Sequence, residues 1–153
     1  MTKTVILQIP GAEPQGQPRP RTYHTGGRVI THSPHTAYYS RIMTAAVREK
    51  MQRGAFPTDG NIAIVADIYF AVPASLRKKE KVARLRRLYH TQKPDCDNLA
   101  KTILDALVAG RLITDDRQVA SLCVIKRWAE KHDTQIEIVW SNEEEENDKD
   151  CNF

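Results

Sequence analysis

Five aspartates lie within residues 95–116 of this 153-residue chain. Asp95 and Asp97 are separated by a single residue, and Asp115 and Asp116 follow closely in the sequence. In an extended segment, side chains two residues apart point to the same side, with Cα atoms ~6–7 Å apart, so two carboxylates can converge on one ion. Two like charges held this close need a counter-ion, and a divalent cation is the natural one. The spacing therefore indicates metal-dependent chemistry.

A helix is predicted to follow these aspartates. Asp97 is a good N-cap for a helix that begins at Asn98 and ends near Gly110. One face of this helix is apolar at helical spacing and carries Leu99, Ile103, Ala106 and Leu107. The opposite face carries Asn98, Lys101, Thr102 and Asp105. Lys101 then projects one turn beyond the aspartates, near a phosphate oxygen on the metal, and can pair with Asp105 four residues later.

Each part of this pattern also has a simpler structural interpretation. An Asp-x-Asp sequence is more often a turn with a helix cap, and an Asp-Asp pair before a strand is usually a solvated turn. A Lys-Asp pair on a helix is by default a surface ion pair worth well under ~1 kcal/mol. The combination is much less common than its parts and favours a site. Asp115 and Asp116 precede a predicted strand, where neighbouring residues point to opposite faces, so only one of them should reach the metal.

The order of these residues resembles the RusA family of Holliday junction resolvases. The resemblance lies in Asp95-Cys96-Asp97-Asn98-Leu99, Lys101, Asp105-Ala106-Leu107, Gly110, Asp115-Asp116 and Gln118-Val119. A weaker similarity covers Gly16-Gln17-Pro18-Arg19-Pro20-Arg21, which is similar to the family's Pro- and Arg-rich loop after the first strand. Residues 73–92 form an insertion relative to the shortest members.

This resemblance implies a homodimeric, Mg²⁺-dependent DNA endonuclease of a kind common in phages and prophages. Such an enzyme resolves four-way junctions in recombination and repair by paired symmetric nicks, and Mn²⁺ can be an alternative to Mg²⁺. The family's metal-binding carboxylates fall on Asp95, Asp97 and Asp116, and its essential lysine falls on Lys101. Asp115 is expected just outside the metal's ligands or on a second ion. Asp105 and Asn98 are expected to support these residues, Asp105 by orienting Lys101.

The charge distribution is consistent with a polyphosphate partner. Six acidic residues and one lysine lie in the segment 143–153. The remaining residues 1–142 contain 22 Lys and Arg against 13 Asp and Glu, so this part of the chain is strongly basic. Candidate DNA contacts lie in two basic segments and beside the metal loop: Arg19, Arg21, Arg28, Arg77, Lys78, Lys79, Lys81, Arg84, Arg86, Arg87 and Lys93. A basic run of this kind is otherwise a solvated helix face.

The pattern of apolar residues predicts a single α/β (α+β) domain over residues 1–142. Alternation in the segments 5–9, 62–70, 119–128 and 135–140 predicts a mixed sheet of about four strands packed against helices. Residues 10–32 are predicted to form a long loop or loose hairpin, and a helix is predicted from Ser33-Pro34 to near Gly54. The acidic segment 143–153 has little apolar content, which predicts a disordered tail.

The remaining features favour an intracellular protein. Cys96, Cys123 and Cys151 are odd in number and widely spaced, which suggests free thiols in a reducing cytoplasm, bacterial or of a phage-infected host. No apolar run approaches the ~18 residues that a membrane span requires, and the amino terminus lacks a signal-peptide core.

Two other functions remain compatible with the sequence. The chain could be a metal-dependent phosphohydrolase that acts on nucleotides, or a non-catalytic protein that binds branched DNA. A lysine in register with three carboxylates argues against the second. A salt-dependent preference for branched DNA over mononucleotides would separate a nuclease from a nucleotidase.

Overall fold

A four-stranded mixed β-sheet forms the centre of the protein. The computed structural model describes residues 2–32 and 34–141, so the predicted tail 143–153 lies outside the described residues. Strands β1 (Thr2–Gln8), β4 (Asn61–Ala71), β5 (Val119–Ala129) and β6 (Asp133–Ser141) lie in the order β1-β6-β4-β5. Strands β4 and β5 are parallel, and the other two pairings are antiparallel. A separate hairpin joins β2 (Arg21–Thr25) to β3 (Arg28–His32).

Three α-helices accompany this sheet within the described residues. They are α1 (Ala37–Arg53), α2 (Lys78–Leu85) and α3 (Cys96–Ala109), and a short 3₁₀ helix (Asp116–Gln118) precedes β5. Across residues 2–32 and 34–141, none of these helices has the length and apolar character to cross a bilayer. The predicted α+β class, the single small domain and the mixed sheet of about four strands are confirmed.

Strand β4 shows why the sheet packs on one side. Its residues Ile62, Ile64, Ala66, Ile68 and Phe70 are all buried, whereas the alternate residues are half-buried or exposed. Because successive strand residues point to opposite faces, one face of the sheet meets the helices. Burying a side chain of the size of Ile or Phe contributes about 1.5–3 kcal/mol, so this face supplies much of the core.

Helices α1 and α3 pack against each other and against this buried face. Their closest approach needs Gly110, because a Cβ there would lie 2.6 Å from the Ala46 Cβ and 2.9 Å from the Met43 carbonyl oxygen. The predicted end of α3 near Gly110 is confirmed, and the tight packing of the two helices explains why this cap residue is a glycine.

The predicted start of α1 is wrong. The helix begins at Ala37 after Thr36, whose hydroxyl oxygen accepts a hydrogen bond of 3.1 Å from the Tyr39 amide. Pro34 lies before the helix, and Ser33 lies outside the described residues. The cap three positions later provides the side-chain acceptor that the first turn requires.

His90 is a buried histidine at the edge of the core. Its ring stacks on Phe70 with centroids 3.9 Å apart and contacts Trp128 at 4.3 Å. Its backbone amide donates to the Lys126 carbonyl at 2.9 Å, while Nδ1 has no partner among the described residues. Burial, and then the nearby Lys126 ammonium, lower the pKa of His90 to about 4. His90 is therefore neutral at physiological pH.

This environment predicts a pH dependence of stability. Because the pKa of His90 falls from 6.5 to about 4 on folding, its contribution is present above pH 6.5 and is lost as the pH falls towards 4. The loss has a limiting slope of about 1.4 kcal/mol per pH unit. Compared with wild type, His90→Phe should lose less unfolding free energy over this range in urea denaturation. Parallel curves for the two proteins would contradict the buried neutral ring.

Candidate active site

The acidic motif lies at the amino terminus of α3, but its cap differs from the prediction. Asp95, rather than Asp97, is the N-cap, with φ −73° and ψ 152°. The side chain of Asp95 makes no capping hydrogen bond, and Asp97 lies in the first turn of the helix. The two aspartates are therefore not alternate residues of a strand. The positive end of the helix dipole favours both negative charges at this position.

Both carboxylates line an open cleft of about 400 Å³. The helix contributes Asp95, Asp97, Asn98 and Lys101 to its walls. The loop after β1 and the segment before α1 supply the other walls: Gln17, Pro18, Arg19, Pro20, Pro34 and His35. The structure thus brings two predicted metal ligands, the predicted lysine and one predicted DNA contact to the same cleft.

The loop after β1 is fixed to α3 by Asn98 and Thr102. The Gln17 amide donates to the buried Thr102 hydroxyl at 3.0 Å, and this hydroxyl donates to the Asn98 carbonyl at 2.8 Å. The Asn98 side-chain amide donates to the Gln17 carbonyl at 3.4 Å. A Cβ on Gly16 would lie 2.2 Å from the Asn98 Nδ2 atom, so glycine at this position leaves the Asn98 side chain free to keep its contact with Gln17. Asn98 supports the site by holding this loop.

The chain before Asp95 is fixed from the other side by Lys126. The ammonium of this β5 residue donates to the Gln92 carbonyl at 2.6 Å and to the Pro94 carbonyl at 2.7 Å. The Lys93-Pro94 peptide bond in this segment is cis. The sequence analysis did not predict a role for Lys126, although its position in the strand was a signal. Lys126 alternates with Leu122, Val124 and Trp128 on the helix-facing side of β5, where a lysine ammonium needs hydrogen-bond acceptors.

Lys101 and Asp105 form the predicted ion pair, with the Nζ and Oδ2 atoms 3.5 Å apart. The Lys101 side chain is 67% exposed, so this pair leaves its ammonium accessible from the cleft. Asp105 borders a second, neighbouring depression together with Asp115 and Asp116. The ion pair therefore lies between the depression that contains Asp116 and the cleft that contains Asp95 and Asp97.

Asp115 and Asp116 have different environments. Asp115 caps the 3₁₀ helix and accepts hydrogen bonds from the Arg117 amide at 2.8 Å and from its guanidinium at 3.0 Å. These bonds from Arg117 hold the pKa of Asp115 well below its usual range, so it stays ionised. Asp115 therefore already has the Arg117 guanidinium as its counter-ion. Asp116 is exposed and, among the described residues, makes no salt bridge.

The carboxylates suit a hard cation that keeps part of its water shell. Among the described residues, no group of three His, Cys, Asp or Glu side chains is close enough together to enclose a metal ion. Mg²⁺ is usually held by one or two carboxylates, with waters and substrate phosphates as its other ligands. Asp95 and Asp97, which share one exposed cleft, fit this requirement. The structure places Asp116 nearby but in the adjoining depression.

Apart from Arg19 in the cleft, the predicted DNA contacts lie mainly on exposed elements. Arg21 and Arg28 lie on the β2–β3 hairpin, whose residues 21–31 are all exposed. None of the eight residues of α2 is buried. This helix and its ends carry the other predicted contacts of the segment: Arg77, Lys78, Lys79, Lys81, Arg84, Arg86 and Arg87. Arg84 is an exception because its guanidinium lies over the Trp128 ring, 4.9 Å from the centroid. Lys93 is exposed immediately before the motif.

The chain matches a known protein family over most of its length. The family model described as Endodeoxyribonuclease RusA matches residues 11–139. An uncharacterized protein, YqaN of Bacillus subtilis (strain 168), is 32% identical over 130 residues, which cover 82% of this chain and 89% of that protein. The chain therefore belongs to the RusA endodeoxyribonuclease family, a family of DNA nucleases.

The contacts of Lys126 predict that its removal loosens residues 91–97, the segment that contains Asp95 and Asp97. Lys126→Met keeps the apolar stem but removes two charge-assisted hydrogen bonds, each worth about 1.5–3 kcal/mol. We expect faster amide hydrogen exchange in residues 91–97 and a lower melting temperature. Lys50→Met on α1 is the matched control and should leave exchange in this segment unchanged. Equal exchange in wild type and Lys126→Met would show that the segment is held by other contacts.

Proposed function

We propose that this protein is a metal-dependent DNA endonuclease that resolves four-way junctions by paired, symmetric nicks. The observation that carries this proposal is the shared cleft of Asp95, Asp97 and Lys101, bordered by Arg19, in a chain of the RusA family. The cleft is open, which suits a substrate that is a long polymer rather than a small enclosed molecule. The exposed basic residues of the β2–β3 hairpin, which follows directly on the cleft residue Pro20, suit the phosphates beside the cut.

The proposed cofactor is Mg²⁺, with Mn²⁺ as an alternative. Asp95 and Asp97 would hold it, with Asp116 as the third proposed ligand. When bound, such an ion polarises a phosphate oxygen and lowers the pKa of an attacking water. The carboxylates also have a role of their own, because they keep the scissile phosphate away from the helix terminus unless a cation compensates their charge.

The side chains of the cleft suggest separate roles in the reaction. Lys101 would place its ammonium against the charge that develops on the phosphate in the transition state. Asp105, 3.5 Å away, would orient that ammonium. Arg19 would bind a neighbouring phosphate, because a guanidinium can donate two parallel hydrogen bonds to it. Asn98 and Thr102 would act indirectly, by holding the loop that carries Arg19.

A dimer follows from the reaction proposed. One acidic cleft cuts one strand, whereas junction resolution needs nicks at two symmetry-related positions. A two-fold dimer supplies the second cleft and matches the approximate two-fold symmetry of a four-way junction.

The two alternative functions receive less support. A nucleotide phosphohydrolase would not need exposed basic residues on the β2–β3 hairpin and on α2, both outside the cleft. A non-catalytic binder would not need Lys101 accessible beside two aspartates. Neither alternative is favoured by a specific feature of the described residues.

The first test removes one proposed metal ligand. Asp97→Asn should reduce cleavage of a synthetic four-way junction by at least roughly a hundredfold, the scale of losing one interaction made only in the transition state. Junction binding should be retained or tighter, because the change also removes one charge that repels phosphate. Cleavage is measured by gel assay with Mg²⁺ and binding by fluorescence anisotropy.

Asp59→Asn, an exposed aspartate outside the cleft, is the control for Asp97→Asn and should cleave normally. Retained cleavage in Asp97→Asn would refute the assignment of the site. Hydrolysis of mononucleotides in preference to junctions would favour the nucleotidase.

The second test concerns the hairpin. Arg21→Ala combined with Arg28→Ala should weaken junction binding and reduce the dependence of log affinity on log salt by up to about 1.8, because each phosphate contact contributes about 0.9. Arg48→Ala combined with Lys50→Ala removes the same charge from α1 and is the matched control. An equal loss in both double variants would indicate a non-specific effect of net charge.

A further inference from the structure

His35 lies in the wall of the cleft but has no role in the proposed reaction. It lines this cleft together with Asp95, Asp97 and Lys101. The residue is exposed, so a phosphate bound in the cleft can reach its ring. Histidine is the side chain that exchanges a proton in the neutral pH range, and it is the commonest general acid or base in enzymes. The position of this ring therefore suits proton transfer to or from a bound substrate.

The backbone of His35 is restricted on both sides. Pro34 comes immediately before it, and the pyrrolidine ring fixes the φ angle of that residue. Thr36 comes immediately after it and is the N-cap of α1, where its hydroxyl oxygen accepts the 3.1 Å hydrogen bond from the Tyr39 amide. His35 thus occupies the last position before a capped helix, which limits where its side chain can point.

The ring of His35 is also held in place. It stacks on the ring of Tyr39, with the centroids 4.3 Å apart and an angle of 10° between the ring planes. Tyr39 is only 6% exposed and belongs to the core, so it provides a fixed platform. Stacking engages the face of the imidazole and leaves the nitrogens at its edge to other contacts. A proton donor held in this way needs little reorganisation when substrate binds.

Tyr39 connects His35 with the ion pair of Lys101 and Asp105. Burial raises the pKa of Tyr39, and the negative charge of Asp105 raises it further, an effect that requires the carboxylate to lie near the phenol. Asp105 in turn pairs with Lys101 at 3.5 Å. The Tyr39 phenol therefore keeps its proton at physiological pH and serves as the platform for His35, without titrating itself.

The other described residues of the cleft wall are poor proton donors in the neutral range. Proline, glutamine and asparagine side chains do not titrate, and an arginine such as Arg19 is not deprotonated in proteins. Asp95 and Asp97 are proposed metal ligands, and a carboxylate bound to a cation carries no proton. Lys101 is assigned to the charge on the phosphate. The attacking water is already activated in the proposed reaction, whereas the leaving oxygen has no assigned proton donor.

We propose that His35 is a catalytic residue that donates a proton to the leaving oxygen of the scissile phosphodiester. This inference rests on the proposed function. Attack of water forms a new P–O bond, and the attacking water loses one proton to the solvent. The P–O bond to the leaving oxygen breaks, its electron pair passes to that oxygen, and an imidazole N–H of His35 supplies the proton. The neutral imidazole then takes a proton from the solvent.

This role predicts how the cleavage rate depends on pH. The charged and titratable groups around His35 come from three elements, the loop after β1, α1 and α3: Arg19, Tyr39, Asp95, Asp97, Lys101 and Asp105. As the pH rises and the imidazolium loses its proton, the cleavage rate of wild type should fall. His35→Phe keeps an aromatic ring for the stack on Tyr39 but has no proton to give. It should therefore lack this fall.

The decisive experiment uses junctions in which sulfur replaces a bridging oxygen at the cut. Two such substrates are needed, with sulfur on one or the other side of the phosphorus. In single-turnover assays, His35→Phe should cut the ordinary junction about a hundredfold more slowly than wild type, the lower end of general acid catalysis. Because a thiolate leaves without a proton donor, the variant should come within a few-fold of wild type on one sulfur substrate. Comparison with wild type on the same substrate cancels any effect of sulfur on the bound ion.

Two variants are the controls for His35→Phe. His24→Phe changes an exposed histidine of β2 that does not line the cleft, and it should keep the pH profile of wild type. Lys101→Ala should remain slow on both sulfur substrates, because its proposed role is to stabilise charge on the phosphate. Rescue of Lys101→Ala in place of His35→Phe would assign proton donation to the lysine and refute the proposal. Rescue of neither variant would refute it as well.

The cleavage rates also separate this inference from the proposed function. If wild type cuts junctions and His35→Phe cuts the ordinary junction equally fast, the nuclease stands and the role of His35 is refuted. If wild type cuts no junction with Mg²⁺ or Mn²⁺, both fail. Circular dichroism checks that His35→Phe is folded.

A second measurement covers the case in which His35→Phe does not fold. Asp97→Asn, which should bind junctions without cutting them rapidly, allows the imidazole nitrogens to be followed by NMR in a stable complex. The nitrogen signals of His35 should shift when a four-way junction is added. Those of His132, whose Nδ1 accepts a hydrogen bond of 3.1 Å from the Ala71 amide, should not. Unchanged His35 signals in the complex would refute its contact with the substrate.

Discussion

The position of the first turn of α3 is the constraint on which the proposed site depends. This turn is held from two sides. On one side, the hydroxyl of Thr102 and the amide of Asn98 bind the loop after β1. On the other side, the ammonium of Lys126 binds the carbonyls of Gln92 and Pro94. Because the anchors are a helix and a strand of the core, the two aspartates are presented by a rigid scaffold, as preorganised electrostatics requires.

The exposed charged residues are distributed differently on α3 than on the hairpin and α2. The exposed side of α3 carries alternating charges, with Asp97, Lys101 and Asp105 at successive turns. The hairpin and α2 carry mainly exposed Lys and Arg residues. Exposed charges of this kind change the free energy of unfolding very little. These elements contribute almost nothing to the core. Their charged side chains therefore add little to the stability of the fold.

Sequence and structure agree best where the periodicity is strong and the contacts are local. The alternation in β4 and the apolar stripe of α3 were sufficient to predict both elements and their buried faces. The ion pair of Lys101 with Asp105 follows from helical spacing alone. Helix starts were less predictable. Both α1 and α3 begin at caps other than those predicted, because several residues near each start can serve as caps and tertiary contacts select one.

The sequence by itself determined the family, the α+β class and the identity of the charged residues near the start of α3. Only the tertiary structure decided how they are grouped. Asp95 and Asp97 share a cleft with Arg19, which is distant in sequence, whereas Asp116 lies in the adjoining depression and Asp115 is engaged by Arg117. The contact of Lys126 with Pro94 and the close approach of Gly16 to Asn98 likewise join residues that are distant in sequence. The physical reason is that spacing along a chain fixes contacts within one element, while contacts between elements depend on how the core packs.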